Sequence, residues 1–111
     1  MPFVAIALGS NLGDRQAALT YAIDRLTPLL ADISVSQAIE TEPEGDGLEG
    51  QPLYLNAAVV GTTSLDARAL LLRLLETERR FGRERPYDGA PRTLDLDLIL
   101  YGDAVLDEPD L

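Results

Sequence analysis

Leu94, Leu96, Leu98 and Leu100 alternate with Asp95, Asp97, Ile99 and Tyr101, and no other stretch limits the fold so tightly. An apolar side chain at every second position is the period of a β-strand with one face against a core. The leucines then face inward, and Asp95, Asp97, Ile99 and Tyr101 face outward. Two residues of strand rise set the Asp95 and Asp97 side chains about 7 Å apart, pointing the same way. Carboxylates so placed suit a hard cation such as Mg²⁺, which takes one or two of them and leaves other positions to water and phosphate oxygens. The same alternation also describes an antiparallel sheet with one wetted face, so the flanking sequence must discriminate.

The strand is preceded by an arginine-rich stretch. The chain has nine Arg and no Lys, and five of the nine fall between positions 79 and 92, against a net charge of −10. Arginine presents a planar fork of donors that matches phosphate oxygens. Arg79 and Arg80 read as cations at a helix end, favoured there by the helix dipole. Arg83, Arg85 and Arg92 lie in a loop punctuated by Gly82, Pro86, Gly89 and Pro91. They are candidates for phosphate, with a solvated loop as the alternative.

At 111 residues the chain is expected to form one domain, residues 1–111, large enough for a core. With no Cys and no His, disulfides, thiolate chemistry and imidazole bases or ligands are excluded. The acidic balance argues against non-specific binding of nucleic acid or anionic membranes. No apolar run approaches the roughly 20 residues of a membrane span, and no leader is read ahead of the first strand. A soluble cytoplasmic protein, expected to be a monomer, is the reading.

In chain order, Phe3–Leu8 is the first strand, and Gly9–Asp14 is a turn with Asp14 as helix cap. A glycine turn of this kind can cradle phosphate, but it lacks the Lys and spacing of a P-loop, and a structural turn is preferred. Leu19, Ala22, Ile23, Leu26, Leu29 and Leu30 give the Arg15–Leu30 stretch a helical period. Ile33–Glu40 is the second strand, Thr41–Pro52 a long acidic loop, and Leu53–Gly61 the third strand. Tyr54, Asn56 and Ala58 then share one face of that strand. Asn56 is unusual in a strand, and its amide could read the edge of a heterocycle or simply be solvated. Ser64 or Asp66 caps a second helix with Leu70, Leu71, Leu74, Leu75 and Phe81 as its stripe, stopped at Gly82. A polar exit runs from Gly102 to Leu111.

The order β-α-β-β-α-β predicts an α+β, ferredoxin-like fold: a four-stranded antiparallel sheet with both helices on one face. Asp95, Asp97, Tyr54 and Asn56 would share the open face.

Five segments resemble the 6-hydroxymethyl-7,8-dihydropterin pyrophosphokinase family of folate biosynthesis. They are Ala7–Asp14, Thr41-Glu42-Pro43, Tyr54–Ala57, Glu78 with Gly82–Arg85, and Ala90–Asp97. The resemblance implies transfer of pyrophosphate from ATP to the hydroxymethyl group of the dihydropterin, releasing AMP. It implies that Asp95 and Asp97 hold two Mg²⁺ ions against the triphosphate. It also implies that Glu78, Arg83, Arg85 and Arg92 face ATP, and that Thr41, Pro43, Tyr54 and Asn56 bind the pterin. Asp95, Asp97, Arg83 and Arg92 would be the catalytic set, acting by positioning and charge neutralisation.

This sequence departs from the family pattern in places. Glu44 precedes Gly45 where an apolar residue is usual, Leu75 stands where some members have Gln, and Gly89 where some have Trp. Members continue with a Val-Pro-His-Pro segment and closing elements, whereas this sequence stops at Leu111. The alternative is therefore a non-catalytic module that binds pterin, nucleotide or a partner on the same fold.

Overall fold

In the computed structural model, residues 1–41, 53–83 and 94–105 are described, with the backbone alone at 83, 104 and 105. Among these residues nine elements follow in order: β1 (Phe3–Ser10), α1 (Arg15–Leu26), a 3-10 turn (Thr27–Leu29), β2 (Ala31–Val35), β3 (Ile39–Thr41), β4 (Tyr54–Thr62), α2 (Ala67–Arg83), β5 (Asp95–Tyr101) and β6 (Ala104–Val105). The strands pair antiparallel in the order β2-β4-β1-β5-β6, and β3 also pairs with β4. With β3 and β6 set aside, this is the expected ferredoxin-like sheet. Both helices cover the same side of it, where Val4, Ile6, Leu8, Leu19, Leu26, Val59, Leu70, Leu74, Leu96 and Leu98 form one core. Among the described residues no helix is long and apolar enough to cross a membrane.

Several boundaries move, each for a local reason. β1 continues through Gly9 and Ser10, because β4 and β5 run alongside and supply partners there. α1 opens on Asp14, whose side chain accepts from the Ala17 N–H, and ends at Leu26 instead of Leu30. Pro28 has no N–H to continue the ladder, so the chain tightens into the 3-10 turn. The single strand expected at Ile33–Glu40 is two strands. Between them Ser36 replaces the ladder: its N–H donates to the Ala58 carbonyl at 2.9 Å, and its hydroxyl accepts from the Ala58 N–H at 2.8 Å.

α2 is capped by Asp66, whose carboxylate accepts from the Ala69 N–H at 2.7 Å. Leu70, Leu74 and Phe81 carry its buried face with Thr77, whereas Leu75 is exposed and leaves the expected stripe. Gly82 lies inside the helix, which runs to Arg83, and so is not its stop. The Gly102–Val105 part of the polar exit turns back as β6 to pair with Leu100 and Tyr101.

The last correction concerns β5 itself. Opposite the Ala5–Ile6 step the register slips by one residue, leaving Ile99 as a bulge. Beyond it the two faces exchange. Tyr101 comes opposite the buried Val4, packs against the core and donates its hydroxyl to the Leu65 carbonyl at 2.6 Å. Leu100 comes opposite Ala5 on the open side, so neither residue is on the face that strict alternation assigns it.

Candidate functional site

β1 is the middle strand of the site. Gly9 stands opposite Asn56 of β4 on one side and Asp95 of β5 on the other; Ala7 likewise stands between Ala58 and Asp97. Residues directly opposite one another share a face. The small residues Gly9 and Ala7 therefore form the floor between the two carboxylates and the amide. Two strand spacings separate the Asp95 and Asn56 backbones, about 10 Å.

Gly9 is bare for a reason. A Cβ there would lie 3.2 Å from Asn56 Oδ1 and 3.6 Å from the Tyr54 ring, so both side chains lie across the space a larger residue would fill. Asn56 is held from its other end. Its Nδ2 donates to the Thr41 hydroxyl oxygen at 2.6 Å, across the β3–β4 pair. The amide is thus oriented with Nδ2 toward Thr41 and Oδ1 over Gly9.

On the opposite flank, β5 pairs with β1 along one side, and its Leu96 N–H points outward. Glu78 of α2 takes it: Oε2 accepts from Leu96 N at 2.6 Å. This brings a third carboxylate close to Asp95 and Asp97. The Glu78 carboxyl is raised above its ordinary value of 4.5, first by burial and then by the charges of Asp95 and Asp97, with the Leu96 N–H working the other way. Asp95 is raised as well, by desolvation first and then by Asp97.

Among the described residues, no group of three or more acidic, His or Cys side chains is arranged to hold a metal alone. The Asp95–Asp97 pair fits the other kind of site, in which one or two carboxylates hold a hydrated Mg²⁺ whose remaining ligands come from phosphate.

The structure therefore brings together Asp95, Asp97, Asn56, Tyr54 and Thr41 on one face, with Glu78 at the β5 edge. Pro43, Arg85 and Arg92, and the side chain of Arg83, lie outside the described residues. Of the arginines read as a helix-end pair, Arg80 bonds Glu76 at 3.1 Å one turn back. Leu75, at the position where some pyrophosphokinases have Gln, is 51% exposed. Sequence reading missed Gly9 as a site residue. Its signal was present, a small residue every second place at Ala5, Ala7 and Gly9, but its meaning needs both neighbouring strands.

The family described as 7,8-dihydro-6-hydroxymethylpterin-pyrophosphokinase matches residues 5–111 of this chain. The chain belongs to this family. Named pyrophosphokinases for 2-amino-4-hydroxy-6-hydroxymethyldihydropteridine are similar along most of it. The protein of Aquifex aeolicus is 35% identical over 106 residues, covering 96% of this chain and 65% of its own length. That of Bacillus subtilis is 42% identical over 98 residues, covering 86% of this chain and 58% of its own. A folate synthesis bifunctional protein of Chlamydia caviae is 35% identical over 106 residues, 91% of this chain and 24% of its own length. The chain thus spans less than two thirds of each of these pyrophosphokinase relatives.

Proposed function

We propose that this chain is the pterin- and nucleotide-binding core of a pyrophosphokinase that transfers pyrophosphate from ATP to 6-hydroxymethyl-7,8-dihydropterin and releases AMP. The observation that carries the reading is the row Asp95–Gly9–Asn56: carboxylates and an oriented amide on one face, separated by a floor of small residues. The family match across residues 5–111 supports it.

The hydroxymethyl oxygen would attack the β-phosphorus of ATP in line. One O–P bond forms, the bond from that phosphorus to the bridging oxygen of the α-phosphate breaks, and AMP leaves with the electron pair. The hydroxyl proton is lost to solvent or phosphate. Asp95 and Asp97 would hold Mg²⁺, two ions in this reading. When bound, the metal neutralises the triphosphate and fixes its geometry. Asn56, oriented by Thr41, would hydrogen-bond the pterin edge, with Tyr54 against its ring. Glu78 fixes the backbone between the two aspartates by holding the Leu96 N–H. Arg83, Arg85 and Arg92 are assigned to the phosphates on the resemblance. In such a mechanism the protein contributes orientation and charge, and the lack of His is no obstacle.

Titration with Mg²⁺, a non-hydrolysable ATP analogue and 6-hydroxymethylpterin, followed by an AMP-release assay with ATP and the dihydropterin, tests this. Binding of both ligands with AMP release supports it. Binding without turnover would leave a binding module, and no binding of either ligand would overturn the reading.

A further inference from the structure

Arg15 is in an unusual place for a cation. It is the first residue of α1, where the exposed N–H groups and the positive end of the dipole disfavour positive charge, and no acidic residue follows in that first turn. A residue set against its local preference needs a use elsewhere in the fold.

Its contacts show that use. Arg15 Nη1 lies 2.8 Å from the Glu40 carboxylate and donates at 2.7 Å to the Leu53 carbonyl. Glu40 lies in β3, just ahead of the 42–52 connection, and Leu53 comes just after it. One guanidinium therefore joins both ends of that connection to the start of α1. The ends need it. β3 is three residues long, all exposed, and among the described residues has no partner strand but β4. Ile39 lies opposite Asn56 on the open face, which puts Glu40 on the inner face opposite Leu55. There β3 has no apolar side chain to anchor it, and Arg15 takes that place. The Arg15 side chain is also the less solvated partner, at 29% exposure against 51% for that of Glu40.

Thr41, next to Glu40, orients Asn56, and Tyr54, next to Leu53, lies beside it. We infer that Arg15 is a positioning residue: by bonding Glu40 and Leu53 together it sets Thr41 and Tyr54 for binding the pterin on the far face of the sheet. It touches neither substrate nor the reacting atoms. The inference rests on the reading of Thr41, Tyr54 and Asn56 as the pterin side, proposed above.

The test measures two affinities and one exchange rate in Arg15→Ala, Glu40→Gln and the parent chain. Arg15→Ala should weaken 6-hydroxymethylpterin binding about fivefold to tenfold, the loss of a partly exposed charge-assisted contact. Binding of Mg²⁺ with the ATP analogue should stay within about twofold. Glu40→Gln keeps the Leu53 bond and should show a smaller pterin loss, and it carries the test should Arg15→Ala not fold. Amide exchange across 39–41 and 54–56 should quicken in Arg15→Ala and remain slow in β1. Unchanged pterin affinity, or equal loss of both ligands, would overturn the inference. If the parent chain binds the nucleotide analogue and no pterin, the proposed function falls instead. The role of Arg15 is then decided by exchange alone, and unchanged exchange would end it.

Discussion

Glu78 and Leu96 join the second helix to the strand that carries the aspartates, through a carboxylate that accepts a backbone N–H at 2.6 Å. The N–H sits between Asp95 and Asp97 in sequence, on the side of β5 away from β1. One bond therefore closes an open sheet edge and fixes the backbone from which both carboxylates project.

Removing that bond should be costly. Glu78→Ala leaves a part-buried N–H unpaired and should destabilise the protein by about 1–3 kcal/mol. Glu78→Gln keeps an acceptor and relieves repulsion, so its cost should be clearly smaller. Urea denaturation of the two variants checks this; equal losses would show that the acceptor is not what matters.

Asp97→Asn separates a metal site from a wetted sheet face. Two ionised carboxylates about 7 Å apart repel by about 0.6–2.4 kcal/mol for effective dielectric constants of about 80 down to 20. The variant should therefore melt slightly higher without ligands. It should also lose the added stability that Mg²⁺ and an ATP analogue together give the parent chain. Equal ligand-induced Tm shifts in both proteins would remove Asp97 from the site.

Gly9→Ala should trade binding for stability. The new methyl lies 3.2 Å from Asn56 Oδ1, and it also restricts the unfolded chain. The fold should hold or gain up to about 1 kcal/mol. Displacement of the Asn56 amide should weaken 6-hydroxymethylpterin binding about tenfold. Gly9→Val, with more bulk at the same point, should weaken it further; tight pterin binding by Gly9→Val would refute the floor.

The raised Glu78 and Asp95 carboxyls fix the sign of a pH effect. Folding raises both above their ordinary values of 4.5 and 3.8, so the folded state binds protons more readily than the unfolded one. Their contribution is fully present below those ordinary values and is lost as pH rises through the raised ones. Without metal, the Tm difference between parent and an Asp95→Asn, Glu78→Gln double variant should shift in favour of the variant as pH climbs from about 4 to 7. A difference that stays flat with pH would refute it.

Much of this was legible in the chain because it is local. Leu94, Leu96 and Leu98 had to face one way and Asp95 and Asp97 the other, since a strand repeats every two residues. Asp14 had to cap, and Ser64 or Asp66 likewise, since a helix start leaves N–H groups without partners; the fold chose Asp66. Asn56 stood out because an amide is unusual in a strand. What the tertiary structure alone decided depends on what lies across from each residue. The bulge at Ile99 arises from pairing with β1, and it turns Tyr101 inward and Leu100 outward against the local alternation. Ser36 splits a strand only because Ala58 is opposite. Leu75 is exposed because the core reaches only one side of α2. Gly9 is a floor only between Asn56 and Asp95, and Arg15 spans 25 residues to Glu40 and 38 to Leu53. Periodicity records which way a side chain faces, but its partners are chosen by strand order and register, which many distant residues set together.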